Sequence, residues 1–209
     1  GHFTRVVRQK ILTEPCDCLA VSLPSEFQTS VENGIDHLPY ITVSAVEEPN
    51  GTYNYVPVDP AQPLIMGLRI AKQEGIARAF IDWSTPKYET RHHIFPDAFA
   101  LSGMSYEKFC VSILASIPQP SPNSQHDRRA RWMAYQLHTL EMDYRNIVLI
   151  CSFLDWPWVK RAFDERREYK PPGSVNPPDL YGLEILQDSI HDLKHNLTLF
   201  LGIKNLKDS

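Results

Sequence analysis

The stretch Asn146-Ile-Val-Leu-Ile-Cys151, followed by Ser152-Phe-Leu-Asp155-Trp156-Pro157, decides the fold of this chain. An aliphatic run of the kind found in buried strands ends in a polar turn, and a proline follows where a helix can begin. Two other segments have the same pattern, Cys18-Leu-Ala-Val-Ser22-Leu-Pro24 and Ala77-Arg-Ala-Phe-Ile-Asp82-Trp83. Three strands that each end in a polar residue predict an α/β fold with a shared crevice at their carboxyl ends.

A helical pattern precedes each strand, which predicts a mostly parallel sheet flanked by helices. These helices are predicted over residues 4–12, 60–74 and 128–140. Asp59 is interpreted as the N-cap of the second helix, Pro60 as its first residue and Gly75 as its C-terminal stop. The first helix and its strand resemble the second half of a βαβ unit, whose first strand is expected upstream of Gly1.

The rest of the chain is predicted to add a hairpin and further helices. The turn dipeptide Asn50-Gly51 joins strand patterns at residues 40–45 and 53–56, which predicts a β-hairpin. Helical patterns also cover residues 95–117 and 157–167. A proline-rich linker at 170–178 leads to a leucine stripe that predicts a C-terminal helical appendage over 181–197. The expected domains are an α/β domain at 1–168 and this linker with its helical segment at 169–209.

Composition excludes several classes of function. The 209 residues include 21 Lys and Arg against 25 Asp and Glu, so no basic nucleic-acid face is expected. No apolar run approaches the roughly 20 residues of a membrane span. The four cysteines lack the spacing of a zinc knuckle or a disulfide scaffold, which favours reduced thiols in a cytoplasmic protein. The chain contains neither a glycine-rich phosphate loop nor a serine-hydrolase elbow.

Two strand-end acids and one arginine are the first candidates for chemistry. Asp82 could hold a metal, orient a histidine or accept a proton, or it could cap the following turn. Asp155 is expected to cap the helix that Pro157 begins, and a functional role is compatible with that. Arg129 belongs to a basic first turn that opposes the helix dipole, so it faces either a carboxylate, an anionic ligand or solvent.

Histidines supply the candidate metal ligands. His2 begins the chain, and Glu89, His92 and His93 follow the Asp82 strand closely. Imidazole and carboxylate groups suit divalent metals, although adjacent histidines cannot both point into one site. A frayed chain start and a solvated loop are the structural alternatives for these residues.

The order of these blocks resembles the superfamily of TraB-like proteins, Tiki proteases, ChaN-like haem-binding proteins and erythromycin esterases, and is most similar to its uncharacterised bacterial branch. Gly1-His2 resembles the end of a Gly-x-x-His opening, and the segment from Cys18 to Pro24 resembles a Val-Glu-Gly-Pro-type strand. Phe80-Ile-Asp82 resembles a Phe-Ile-Asp strand, and the Arg129-to-Met133 segment an Arg-x-x-x-Met helix. The resemblance implies an α/β fold with a metal or catalytic centre at the strand ends.

This chain departs from that pattern at the expected centre. Ser22 stands where the resemblance implies an acid, Ser152 where it implies glycine, and Asp155 where it implies histidine. Glu26 is a candidate replacement for the missing acid. We therefore expect a diverged, non-catalytic or altered-specificity domain that binds a ligand or a protein partner in the cleft.

Two alternatives remain open at this point. One is a metal-dependent hydrolase of the protease or esterase type, in which the histidines and Glu89 hold a divalent ion, with Asp82 or Asp155 as base. The other is a structural role as one part of a larger chain or assembly.

Overall fold

A three-stranded parallel sheet forms the centre of the computed structural model, which describes residues 2–47, 51, 53–85, 88–91, 93, 103–166, 180–184 and 204–205. Strand β1 (Cys18–Pro24) lies in the middle and is buried along its whole length. It pairs with β4 (Ala77–Asp82) on one side and with β5 (Ile147–Ile150) on the other. The predicted α/β class is confirmed.

Helices cover both faces of this sheet, because each strand has apolar side chains on alternate sides. Leu19 and Val21 of β1 pack against α1 (His2–Thr13), α2 (Gln28–Asp36) and α3 (Pro63–Gln73). Ala20 faces the opposite way, toward α5 (Gln125–Leu140) and α6 (Trp156–Glu165). Each face of the sheet therefore has its own hydrophobic core.

A third, smaller cluster lies beside the sheet. Helix α4 (Tyr106–Leu114) contributes Phe109 and Ile113 to it, with Phe3 of α1 and Phe153 packed against them. Ser105 caps α4, since its side chain accepts a hydrogen bond from the backbone N–H of Lys108. The residues 94–102 at the start of the predicted 95–117 helix lie outside the described part.

The predicted hairpin is confirmed as β2 (Thr42–Glu47) paired antiparallel with β3 (Tyr53–Val58). Two short strands extend it, β6 (Leu180–Glu184) next to β2 and β7 (Lys204–Asn205) next to β3. The helix predicted over 181–197 is therefore wrong where β6 forms, because pairing with β2 outweighs the local helical pattern. The remainder, 185–197, lies outside the described residues.

The start of α3 also differs from the prediction. The helix begins at Pro63 and not at Pro60. Asp59 closes a tight turn before it, since its Oδ1 accepts a hydrogen bond from the Ala61 N–H at 2.7 Å. Gly75 follows the helix with φ +68°, as a C-terminal stop requires. Within the described residues, no helix is long and apolar enough to cross a membrane.

Gly34 of α2 provides a test of how tightly the hairpin packs. A Cβ at this position would lie 2.8 Å from Thr42 Oγ1 and 3.0 Å from Val58 Cγ2. Both neighbours are stiff β-branched side chains, so Gly34→Ala should lower the free energy of unfolding by about 1–2 kcal/mol despite its better helix propensity. Urea unfolding measures this loss. Gly103→Ala enters open space and should change stability by less than about 0.5 kcal/mol.

Candidate functional site

The site lies where the three parallel strands end. Asp82 is the last residue of β4 and is in register with Pro24 of β1. Asp155 is the N-terminal flanking residue of α6, in the turn after β5. Arg129 of α5 lies between the two acids, and these three residues are at most 5% exposed. We call Asp82, Arg129, Asp155 and Arg91 the rim network.

A two-pronged ion pair joins Asp82 to Arg129. Arg129 Nε donates to Asp82 Oδ1 at 3.0 Å, and Nη2 donates to Oδ2 at 2.5 Å. The backbone N–H of Trp83 also donates to Oδ1 at 2.7 Å. The fork of the guanidinium thus matches both oxygens of one carboxylate, which is the strongest geometry for such a pair.

Asp155 connects two arginines. Its Oδ2 lies 3.5 Å from Arg129 Nη2, and its Oδ1 lies 3.6 Å from Arg91 Nη1. Arg91 also donates to the carbonyls of Leu154 at 2.6 Å and Pro118 at 3.1 Å. The carboxylate of Asp155 makes no capping bond to α6, so the predicted capping role is wrong. Attraction to two arginines holds this side chain inward.

Tyr88 and His126 complete the surroundings of Arg129. The guanidinium carbon lies 4.9 Å from the centre of the Tyr88 ring, and Nη1 donates to the Tyr88 hydroxyl at 3.4 Å. His126 stands edge-on to the same ring, with its Nδ1 3.5 Å from Arg129 Nη1. The cationic side chain is therefore enclosed by an aromatic face, an imidazole and two carboxylates.

Burial and charge set the protonation of this cluster. Burial by itself lowers the pKa of the Arg129 guanidinium, but the Asp82 and Asp155 carboxylates raise it well above its ordinary value. Burial lowers the pKa of His126 to about 4, and Arg129 and Arg91 add to that effect. Burial also raises the pKa of the Cys151 thiol. At neutral pH the site thus holds charged Arg129 beside a neutral imidazole and a neutral thiol.

Two of the predicted metal ligands, His93 and Glu89, make their described contacts away from these acids. His93 Nε2 lies 3.5 Å from Ser116 Oγ, beyond the end of α4. Glu89 has an exposed side chain, and its backbone N–H donates to Gln125 Oε1 at 2.8 Å. His2 begins α1, but its side chain lies outside the described residues, as does the whole of His92. Among the described residues, no three His, Cys, Asp or Glu side chains form a group that could hold a metal ion.

Two further predicted residues lie near the rim without entering the network. Ser22 is buried in β1, before the position in register with Asp82. Glu26 lies in the short 3-10 helix Ser25–Phe27 and accepts a hydrogen bond from Ser84 Oγ at 2.6 Å. Glu26 thus bridges the ends of β1 and β4, and this bond leaves it outside the contacts of Arg129.

Comparison of the chain with models of protein families, with curated proteins and with solved structures finds no match.

Removal of Arg129 tests the energetic weight of the network. Arg129→Met would leave Asp82 and Asp155 buried beside a thioether, so the free energy of unfolding should fall by about 3–5 kcal/mol. Arg131→Met is the matched control on the same helix. Its half-exposed pair with Asp127, at 2.7 Å, should cost less than about 1 kcal/mol. Chemical denaturation measures both variants.

The double variant Asp82→Leu/Arg129→Met distinguishes the stability that comes from the Asp82–Arg129 ion pair from the stability that comes from packing of the two side chains. Removal of both charges should recover at least about 2 kcal/mol of the loss in Arg129→Met, because no buried carboxylate then lacks its partner at this position. Asp82→Leu is the second single variant of the comparison. If the loss of unfolding free energy in the double variant equalled the sum of the losses in the two single variants, an ion pair of this strength would be contradicted.

The lowered pKa of His126 predicts a pH dependence of stability. The folded chain binds fewer protons than the unfolded chain between the ordinary pKa of 6.5 and about 4, so stability is fully present above pH 6.5 and falls toward pH 4. His126→Gln should reduce the loss of unfolding free energy between pH 7 and pH 4.5 by about 2 kcal/mol. Urea unfolding at the two pH values gives the comparison, and an equal loss in both proteins would contradict the prediction.

Proposed function

We propose that this chain is a non-catalytic binding domain, diverged from the TraB and erythromycin-esterase-like group, whose rim at the strand carboxyl ends contacts a protein partner or a small polar ligand. One observation carries the proposal. Both acids at the expected catalytic positions, Asp82 and Asp155, bind Arg129 and are buried with it. The charges that a hydrolase would present to its substrate are here neutralised within the protein.

The chemistry of the carboxylates supports binding over turnover. A general base must accept a proton from substrate or water, and a metal ligand must direct a lone pair at the ion. Asp82 already accepts three hydrogen bonds, two from Arg129 and one from Trp83. Arg129 cannot give up its proton, so it stays a fixed counter-charge. A substrate or metal would have to displace it from a site with almost no exposure.

The exposed side of the rim offers groups suited to recognition. The Arg128 guanidinium lies 5.5 Å from the centre of the Trp83 ring. Ser84, which follows Trp83, donates a hydrogen bond to Glu26, and Gln125 accepts one from the backbone of Glu89. Aromatic, cationic and acidic groups on a rigid base favour a polar ligand or a protein surface. The near-balanced charge of the chain argues against a nucleic-acid partner.

We also propose the cytoplasm as the compartment. All four cysteines are free. Free thiols in this number fit a reducing environment.

Metal content and hydrolysis test the non-catalytic part of the proposal. The full chain, purified without chelator, should contain well below one equivalent of zinc, manganese or cobalt. It should not hydrolyse p-nitrophenyl esters or unstructured peptides with any of these ions added. His93→Ala and Glu89→Gln are suitable variants because they alter the hydrolase candidates at sites outside the network. Stoichiometric metal or hydrolysis that these variants abolish, with unchanged thermal stability, would overturn the proposal in favour of the metal-dependent hydrolase.

A fragment screen tests the binding part. NMR spectra of the labelled chain with a library of small polar fragments should show shift changes that cluster at Trp83, Ser84 and Gln125. Arg128→Ala should weaken those hits, whereas Arg161→Ala, an exposed arginine of α6, should leave them unchanged. Hits that cluster away from the rim, or survive Arg128→Ala unchanged, would contradict the assignment of this surface.

A further inference from the structure

The two outer edges of the parallel sheet differ in how they are protected. At the β4 edge, Gln28 Nε2 donates to the Arg78 carbonyl at 3.4 Å, and the Arg78 side chain is paired with Glu32 at 3.0 Å. Helix α2 and a charge pair thus cover that edge, as natural sheets commonly require. The edge formed by β5 contains only Ile147-Val-Leu-Ile150, without a charge or a proline.

The backbone of β5 bonds to β1 through alternate residues. The Asn146 carbonyl accepts from the Cys18 N–H, and the parallel register places Leu19 beside Val148. By this alternation, the N–H and C=O groups of Ile147 and Leu149 point away from β1. Within the described part of the chain, no strand pairs with that side of β5. A row of donors and acceptors is therefore available for a further strand.

A pocket of about 400 Å³ lies along the same edge, and apolar side chains share its lining with the charged residues Glu141, Arg145, Lys160 and Asp164. Ile147 and Leu149 form its wall on the sheet, and Trp156, Val159 and Phe163 of α6 form the opposite wall. Arg145 lines the pocket near the start of β5, and Trp156 is 38% exposed. Alternate side chains of a strand added to β5 would enter this pocket, since Ile147 and Leu149 point to the same face.

The existing crossovers determine which strand belongs there. The connection from β1 to β4 runs over the α1–α3 face, and the connection from β4 to β5 returns over the opposite face through α5. The first connection moves across the sheet toward β4, and the second moves back across it toward β5 on the other face. Reversal of both the direction and the face leaves the handedness unchanged, so the two connections have the same hand. A strand leading through α1 into β1 with that hand must start on the β5 side. β5 already occupies the place next to β1, so such a strand lies beyond β5.

The position of α1 agrees with this argument. A Cβ at Gly67 of α3 would lie 2.4 Å from Ile150 Cδ1 and 3.3 Å from Val7 Cγ1, so α1, α3 and β5 meet at this point. At the N-terminal end of α1, the Phe3 ring lies 5.6 Å from that of Phe153, which follows β5. A strand parallel to β5 that ended beside Phe153 would need only a short turn to enter α1.

We propose that the outer edge of β5 and the adjoining pocket form an acceptor site for one more parallel β-strand, apolar at alternate residues, that connects to the N-terminus of α1. The acceptor site is separate from the rim network, so an experiment can contradict the acceptor site without contradicting the proposed binding function, and the reverse. The outward backbone groups of Ile147 and Leu149 supply the hydrogen bonds, and the pocket supplies the apolar contact.

Hydrogen exchange on extended chains tests the acceptor site. The full chain would carry, before Gly1, an alternating valine–threonine strand of about six residues and a flexible turn of about three. The Ile147 and Leu149 amides should then exchange at least about tenfold more slowly than in the unextended chain. The Val148 and Ile150 amides, which bond to β1, serve as the internal reference. A matched extension with lysine at every valine position should give no such protection.

A proline variant and the oligomeric state test whether an added strand or a second copy of the chain occupies the β5 edge. Ile147→Pro removes an outward N–H without touching the pairing with β1, so it should abolish the added protection of the Leu149 amide while the extended chain stays folded. Light scattering should show monomers throughout. Equal protection by the lysine extension, or none by the valine extension, would overturn the proposal. A dimer of the unextended chain with protected Ile147 and Leu149 would assign the edge to a second copy and also overturn it.

Discussion

The attraction between one arginine and two carboxylates determines the arrangement at the carboxyl ends of the strands. Arg129 comes from α5, Asp82 from the end of β4 and Asp155 from the turn after β5. None of the three could be buried alone, because an isolated charge in such an environment is far too costly. Their mutual compensation therefore fixes α5 over the sheet and fixes the two turns relative to each other.

This arrangement explains why the strand ends do not form an open, acidic cleft. Arg91 adds a second cation, so that two arginines compensate two acids. Tyr88 covers the guanidinium of Arg129 and further limits access to it. What remains for contact with other molecules is the outer layer around Trp83 and Arg128. The surface that we propose for binding therefore lies toward the start of α5 and not at the acids.

Local patterns predict the framework well, because strand and helix periodicity reflect burial directly. The segment that ends at Asp82 and the one that ends at Ile150 are strands at nearly the predicted bounds. The cluster of arginines at 128, 129 and 131 also indicates the site, but not through the helix dipole. The predicted basic first turn is wrong, because α5 begins at Gln125, carries Asp127 in its first turn and has Arg129 in its second turn. Which arginine turns inward cannot be derived from the cluster, because Arg128 and Arg129 differ only in their position on the helix.

Long-range contacts are what the sequence leaves undetermined. Arg91 lies in a segment rich in histidine and acid, and its contact with Asp155 joins residues that are far apart in the chain, which no local pattern indicates. Helix α2 has no strong local signal, and it forms because Phe27, Val31 and Ile35 close the core around the hairpin. Strand β6 likewise depends on the free edge of β2 rather than on its own leucines.

The central position of β1 has a consequence for synthesis on the ribosome. Cys18 at its start is paired with Ala77 on one side and with Ile147 on the other, so neither neighbour exists when β1 is made. β1 can pair with β4 only after Asp82 has emerged, and its sheet is complete only after Ile150 has emerged. Such non-local pairing slows folding and leaves apolar, aggregation-prone segments exposed in the meantime. We therefore expect the nascent chain to bind chaperones.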